Sequence, residues 1–519
     1  MRRSIVEAFT EFRSQKHPVK VYKKSIVRKG NLASFLLRER LVLRLVVVCR
    51  SSKDIGQIGF AADETGSFEH NGVAFAYLIC PCNHENALVL RKVFSFTRPR
   101  TIGLDPAVGM GDRTGLATPG HIRVAQTLGV LPVLAQQSIR EMERTQRTPM
   151  EVLDDVSWAV FQEGYRGGYG ADADHLKTAE DASRAFEAGF TMYTIDPSDH
   201  VVNSADTYGL RGLRQEFEKL PWNELECRSK DFLQFYLGRK LAVKVNGEDW
   251  DSKFTKETLL RAAVKYSAAI AHTAKLYRRL KALFGGRKFD IEMSVDETEA
   301  PTSLLEHYFI VSELRRLDVR ITGLALRFVG RFEKAIDYVG DLELFERSFR
   351  GHVAIARSCG PYKLSIHSGS DKFSIYPIVG KLASDIYHLK TAGTSYLEAL
   401  RIVARHDPSL FRAIVKCASG CFDKDRKSYQ VSTNTSLVPN PDEVKDKDLE
   451  AAFLNENNGR QLLHIAYGSI LTARTACGEW LFRDRIRHIL TENEEEHYET
   501  VAEHIQRHVK GIHVPSNCG

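Results

Sequence analysis

The residues best placed to do chemistry lie along Tyr362-Lys363-Leu364-Ser365-Ile366-His367-Ser368-Gly369-Ser370-Asp371-Lys372. Lys363, Ser365 and His367 share one face of this stretch, and Leu364 and Ile366 share the other. Such period-2 alternation predicts a strand with one side packed and one side facing a wet interior. Gly369 and Ser370 end it just after the histidine and just before Asp371. Polar residues gathered at the carboxyl end of a strand are the signature of an α/β active site.

Two further histidines sit in a repeated tetrapeptide, His175-Leu176-Lys177-Thr178 and His388-Leu389-Lys390-Thr391, each at the end of a predicted strand. Neutral imidazoles from three strands (His175, His367 and His388) plus a carboxylate would form an open site for a divalent cation such as Mn, Zn, Ni, Co or Fe. Hydrogen bonding to a substrate is the alternative use of the same nitrogens. Asp174 adjoins His175 and could accept a proton. In Phe289–Glu297 the phase puts Glu292, Ser294 and Asp296 on one face and Ile291, Met293 and Val295 on the other. Glu292 is therefore expected to point inward near His367. Glu297 continues the outward phase, at a strand end where the chain can turn it back. Asp174, Glu292 and Glu297 are the acid–base candidates, because carboxylates beside a cation have separated pKa values; each could equally satisfy a lysine or a backbone group. Asp112, Arg113, Gln137, Lys177, Arg327, Ser370, Asp371 and Lys390 stand at or near other strand ends and are candidate substrate contacts.

Eight strand–helix units are needed to bring these ends together. Strands are predicted at Thr101–Asp105, Pro132–Gln137, Tyr169–Lys177, Phe190–Asp196, Phe289–Glu297, Val319–Phe328, along the opening stretch, and at Tyr387–Gly393. A glycine-rich loop (Val108–Gly120) and a helix through His121–Leu128 follow the first. Helical patterning alone fills 201–285, as in the Leu, Ala and Tyr spacing of Thr255–Leu283. The fold class is thus α/β, a (β/α)8 TIM-type barrel over 100–406, with a helical insertion after strand four. An N-terminal α+β layer (1–99) and a C-terminal helical extension (407–519) flank it.

The chain of 519 residues has 43% hydrophobic and 27% charged residues and a formal charge of +7. These are values of a soluble enzyme with scattered basic residues, which does not suggest a nucleic-acid partner. No apolar run approaches the roughly 18–20 residues of a membrane span. Met1-Arg2-Arg3-Ser4 opens no signal-peptide core, so a cytoplasmic location is expected. Nine cysteines at irregular spacing fit reduced thiols. Gly109-Met110-Gly111-Asp112-Arg113-Thr114-Gly115 departs from a dinucleotide fingerprint at Thr114, and its distance from the helix fits a loop gripping a sugar or phosphate better. His504 and His508 have an i,i+4 ligand-like spacing, but an amphipathic surface helix accounts for them.

Four segments carry a resemblance to a known family: Gly111-Asp112-Arg113-Thr114-Gly115-Leu116-Ala117-Thr118-Pro119-Gly120-His121, Ser294-Val295-Asp296-Glu297-Thr298-Glu299-Ala300-Pro301-Thr302, Leu364–Lys372, and His388-Leu389-Lys390-Thr391-Ala392-Gly393-Thr394-Ser395-Tyr396. They resemble the tagaturonate epimerases, over a stretch from roughly Phe96 to the C-terminus. The resemblance implies a metal-dependent interconversion of D-tagaturonate and D-fructuronate, with D-fructose and D-tagatose as further substrates at C4. It also implies metal histidines and acid–base carboxylates at His175, His367, Asp174 and one of Glu292 or Glu297. The inverted carbon lies β to the ketone, so its hydrogen is not acidic and enolisation cannot invert it. Metal-assisted retro-aldol and aldol chemistry is the favoured route; transient oxidation needs a hydride acceptor. A metal-dependent sugar isomerase or aldolase is the rival reading. The expected partner is a small sugar acid or ketohexose, and a homo-oligomer is compatible with the sequence.

Overall fold

In the computed structural model the residues described are 4–512, apart from 16, 51–54, 57, 238–242, 246–247, 250–252, 392 and 430. Parts of the 201–285 insertion and the last residue but one of the expected eighth strand, Ala392, thus lie outside the described residues. Eight parallel strands close into a barrel: β1 Ala107–Gly109, β2 Leu131–Ser138, β3 Gly170–Leu176, β4 Met192–Ile195, β5 Asp290–Ser294, β6 Gly323–Ala325, β7 Lys363–Ile366 and β8 Tyr387–Lys390. Each pairs with the next, and β8 returns to β1 through His388 opposite Ala107. The helices α1 Thr118–Leu128, α2 Pro149–Gln162, α3 Ala179–Ala188, α4 Lys256–Phe284, α5 Leu304–Arg316, α6 Leu342–Cys359, α7 Tyr376–Ala383 and α8 Ser395–His406 follow in chain order. Capping boxes at Thr148 with Glu151, Thr178 with Asp181 and Ser303 with Glu306 start α2, α3 and α5.

Strand phase sorts the two faces. Ile291, Met293, Leu364, Ile366 and Leu389 point outward into the helix-covered core, while their neighbours look into the barrel. The first expected strand is corrected: β1 is Ala107–Gly109, not Thr101–Asp105. Gly103 has φ +64°, which ends any extended run there. Residues 102 and 103 instead cross the amino end of the barrel, where their N–H groups donate to the Asp290 carboxylate at 2.5–3.1 Å. α1 begins at Thr118 rather than His121, β6 is shorter than expected, and β8 stops at Lys390.

Residues 19–81 supply a six-stranded antiparallel sheet. One face (Leu36, Leu45, Val47) packs on helix His84–Val93 and on Trp158 and Phe161 of α2. The other (Phe35, Val46, Val48) packs on Phe9 of helix Ile5–Ser14. Both faces are covered, which is why Val42–Cys49 reads as a nearly continuous apolar run. Beyond α8, helices including Pro408–Asp425 and Asn457–Ile465 form a second core with Leu397, Leu400 and Val403.

The final helix, α9 Glu494–Ile512, returns to pack on α1, α7 and α8. Its approach to α1 is close: a Cβ on Gly120 would lie 2.7 Å from the carbonyl oxygen of Tyr498. The expectation of a surface helix at His504 and His508 is therefore corrected, since both are buried. Among the described residues the cysteines are free, and no helix is long and apolar enough to cross a membrane.

Candidate active site

The inward residues of the barrel are mostly charged. At the level of Asp172, Thr194, Glu292, Ser365 and His388 every side chain is fully buried. Burying so many polar groups requires mutual compensation, and Lys390 supplies it. Its Nζ lies 2.8 Å from Asp172 Oδ2, 2.8 Å from Asp174 Oδ1, 2.9 Å from Glu292 Oε1 and 2.8 Å from Thr194 Oγ1. Burial alone would lower the Lys390 ammonium, but the three carboxylates outweigh it and hold the pKa well above the usual lysine range. Burial likewise opposes ionisation of Asp174 and Glu292, yet His175 and Lys390 for the first, and Lys390 and His367 for the second, hold both well below the carboxylate range. Asp172 is the exception, pushed up to about 6 by burial, with the neighbouring carboxylates opposing Lys390.

Glu292 points inward, as its strand phase predicts, and ties β5 to β7 and β8. His367 Nε2 donates to Glu292 Oε1 at 2.7 Å, and Ser365 Oγ donates to Oε2. His388 Nδ1 stands 3.2 Å from Ser365 Oγ and 3.5 Å from Glu292 Oε2. The carboxylate needs the glycine beside it: a Cβ on Gly323, its partner in β6, would lie 2.6 Å from Oε2.

One layer higher, β3 breaks its alternation. Ala173 pairs with Tyr193, but Leu176 pairs with Ile195, so β3 carries one residue more than β4 over this stretch. That extra residue is a β-bulge, and His175 takes it up with φ +57°. The bulge is why adjacent residues, Asp174 and His175, both face the barrel mouth. Left-handed backbone at a non-glycine residue is costly and clusters at functional sites. It also undoes the apparent equivalence of the two tetrapeptides. Lys177 lies outside, exposed and paired with Asp199 at 2.8 Å, whereas Lys390 is at the barrel centre.

Asp174, His175 and His367 converge, with one ligand atom from each within 4.8 Å of the others. The His175 and His367 rings are 5.0 Å apart. His175 Nδ1 is 3.0 Å from Asp174 Oδ1 but out of hydrogen-bond alignment, and it has no other partner. His367 Nδ1 is 3.2 Å from Asp296 Oδ1. Imidazole nitrogens facing carboxylate oxygens in this way call for protons or for a cation among them. As protein alone the site answers with protons. Burial works against His175, but Asp174, Asp296 and Asp196 raise it to about 10; His367 is raised too, by Asp296 and Glu292 against burial and Lys390. The donor set therefore fits a divalent cation. His388, the third histidine expected as a ligand, is not in this group; it sits a layer lower and burial lowers it to about 4.

Above these residues opens a cleft of about 340 Å³, bordered by Asp296, Glu297, Arg327, Lys334, His367 and Tyr429. It continues inward to Arg113, Gln136, Asp174, His175, Ser370 and Lys390. Glu292 lies beneath it. Glu297 borders it with its side chain 40% exposed and held by Arg140 at 3.0 Å. Arg113 faces the inner part but is paired with Glu141 at 2.5 Å and stacked on Tyr467.

Besides Lys177, three expected substrate contacts are used elsewhere. Asp112 accepts from Thr114, Gly115, Ala117 and Thr118 and so folds its own loop. Gln137 receives Arg147 at 3.3 Å, while Gln136, the inward neighbour, donates to Asp174 Oδ2 at 2.8 Å. Asp371 is held by Arg460 at 2.7 Å, with His504 and His508 each 3.7 Å away. Those histidines also group with Asp371 as possible ligands. However, His508 accepts from the Asp371 N–H at 2.9 Å and donates to His504 O at 2.8 Å, leaving no lone pair for a metal. Cleft residues outside the expected site set include Asp296 and Gln136, which stand at strand ends, and Lys334 and Tyr429. Only Asp296 and Gln136 carried a signal, inward strand phase.

Residues 22–512 match the profile of the family described as tagaturonate epimerase. The match thus extends into the N-terminal layer, beyond the stretch from Phe96 on which the motifs lie. A tagaturonate/fructuronate epimerase of Thermotoga maritima is 45% identical over 491 residues, covering 94% of this chain and 96% of its own. The native crystal structure of a fructuronate-tagaturonate epimerase from Cohnella laeviribosi matches with TM-score 0.88 and 37% identity, over 98% of this chain and 99% of that one. A glycerol complex of the Cohnella laeviribosi enzyme matches with the same TM-score, identity and coverage. The chain belongs to the tagaturonate epimerase family.

Proposed function

We propose that this protein interconverts D-tagaturonate and D-fructuronate by inverting the hydroxyl-bearing carbon β to the ketone, and that it acts at the equivalent carbon of D-fructose and D-tagatose. Family membership supports the reading. The observation that carries it is one cleft in which the donor set Asp174, His175 and His367 lies beside the carboxylates Asp296 and Glu297. Cleavage and re-formation of the bond between the α and β carbons need both.

A first-row divalent cation held by Asp174, His175 and His367 would supply Lewis-acid polarisation of the ketone oxygen. Glu292 fixes His367 through Nε2, so the other nitrogen is the one presented to the cleft. Lys390 keeps Asp174 ionised and in place. Asp296 is held by Ser294 and stays ionised, since His367 and His175 outweigh its burial. Its carboxylate accepts the proton of the β hydroxyl as the carbon–carbon bond breaks. The aldehyde fragment turns, presents its other face, and the bond re-forms with return of that proton to the oxygen. Glu297, anchored by Arg140, orients the hydroxyl fragment from the next position. Leu326, Phe328 and Phe332 give the outer cleft an apolar side.

Incubation of the purified protein with Mn²⁺ or Zn²⁺ and D-fructuronate tests the reading. D-Tagaturonate as the single product is expected. An aldose would instead mark an isomerase, accumulating three-carbon fragments an aldolase, and no turnover a binding protein.

A further inference from the structure

We infer that Lys334 reads the substrate's carboxylate and thereby sets the preference for a uronate over a neutral ketohexose; this rests on the epimerase reading above. A uronate brings a negative charge into the cleft, so the cleft must offer a cation that is not already neutralised. Three of its cations fail that requirement. Lys390 is surrounded by Asp172, Asp174 and Glu292, Arg113 is paired with Glu141, and Arg140 with Glu297.

Lys334 differs. Among the described residues no carboxylate forms an ion pair with it, and its Nζ has a single hydrogen bond, 2.7 Å to Ser368 Oγ. Ser368 follows His367 directly and has φ +49°, a left-handed conformation at the end of the strand that carries the cation-site histidine. An ammonium has three donors, so two remain for a ligand. Glu333, the adjacent acid, is turned away and bound by Ser432 and Gln461 at 2.7–3.0 Å.

The segment bearing Lys334 is also pinned on both sides. Lys372 Nζ donates to Glu333 O at 2.8 Å and to Ile336 O at 2.5 Å. Gln461 donates to Lys334 O, and Arg460 to Ala335 O. The ammonium is therefore placed in advance, next to His367 and bordering both the outer and the inner part of the cleft. Arg327 borders the outer part alone, and Lys427 is exposed at the rim. A half-buried cation kept without a counterion is unfavourable in the free protein and becomes favourable when a ligand carboxylate completes the pair.

Lys334→Met removes the charge and keeps the apolar stem. Steady-state kinetics with D-fructuronate and D-fructose, and calorimetric binding of D-fructuronate, compare it with the parent in the presence of Mn²⁺. Expected is a drop of about 10–100-fold in kcat/KM for D-fructuronate, mainly through KM. D-Fructose turnover should change less than about twofold, and Lys334→Arg should recover part of the uronate activity. Equal losses on both sugars, or an unchanged KM for the uronate, would overturn the assignment while leaving the epimerase reading intact. If the parent turns over neither sugar, the epimerase reading falls. The calorimetry then decides alone: uronate binding weakened by Lys334→Met upholds the charge-reading role, and unaltered binding ends it.

Discussion

Glu292 Oε1 and His367 Nε2 are 2.7 Å apart at the centre of the barrel, and this pair joins the buried charge layer to the cleft above it. The carboxylate also takes Ser365 and Lys390, so it cannot turn toward a substrate without giving up those bonds. Its geometry suits a residue that orients the histidine proposed here as a cation ligand.

Glu292→Gln should therefore lower activity and weaken metal retention together, each by about 10–100-fold, because the amide places a donor against Lys390 or Ser365. Glu297→Gln, at a half-exposed position, should have the smaller effect. Turnover and bound metal measured for both variants check this. Normal metal content with slow turnover in Glu292→Gln would return it to the role of proton carrier.

Removal of metal should abolish epimerisation, and a first-row divalent ion should restore it. His175→Ala, His367→Ala and Asp174→Asn should each reduce metal stoichiometry, whereas His504→Gln should leave it unchanged because His504 and His508 make hydrogen bonds instead. Metal analysis by mass spectrometry after dialysis reads both halves of the expectation. Full activity in a verified metal-free preparation would refute the cation site.

How legible these features were in the sequence depended on whether alternation held. Glu292, Ser365 and Lys390 lie on regular strands, so their inward direction follows from counting by twos. The count fails at His175, where the bulge puts consecutive residues on one face; no local pattern in Asp174-His175-Leu176 announces it. The burial of His504 was hidden for another reason. Helical periodicity shows that a helix has two faces, but not that α1, α7 and α8 cover the one carrying the histidines. Lys334 was invisible because its loop has no period and its contact with Ser368 is made across 34 residues. Asp112 misled because a loop-capping aspartate and a ligand-binding one look alike until the donors bonded to them are counted.

Gly323→Ala should damage the site without removing any functional group. The new Cβ would stand 2.6 Å from Glu292 Oε2, inside the van der Waals limit, in a layer with no slack. Displacement of Glu292 releases His367 and crowds Lys390. Loss of most activity in a folded protein is expected, with a stability cost of about 1–3 kcal/mol from overpacking. Circular dichroism and turnover on the same sample check it, and unimpaired turnover would show that Glu292 has freedom to move.

The last prediction concerns acid. His307 Nε2 accepts from Tyr362 OH at 2.9 Å, and its Nδ1 is 3.1 Å from His352 Nδ1. One proton serves that nitrogen pair, so a second would set two donors face to face. Burial lowers His307 well below the usual histidine range, helped by His352, and lowers His352 to about 4. Burial does the same to His121, His388, His464, His497, His504 and His508. For each, the folded pKa lies below the unfolded value of about 6.5. Unfolding therefore takes up protons as the pH falls through 6.5 toward 4, and the stability present above 6.5 is lost over that window. Asp155 and Asp172, raised to about 6 by burial, and Asp290, also raised, work in the opposite direction. His175 and His367, with raised pKa values, also work in the opposite direction between pH 7.5 and about 5.5, where their unfolded forms take up protons that the folded site already holds. These five groups are outnumbered by the eight lowered histidines. The urea midpoint should thus fall between pH 7.5 and pH 5.0 at fixed ionic strength. A midpoint that holds or rises would mean that the buried histidines accept protons in the folded state, which the His307–His352 pairing does not allow.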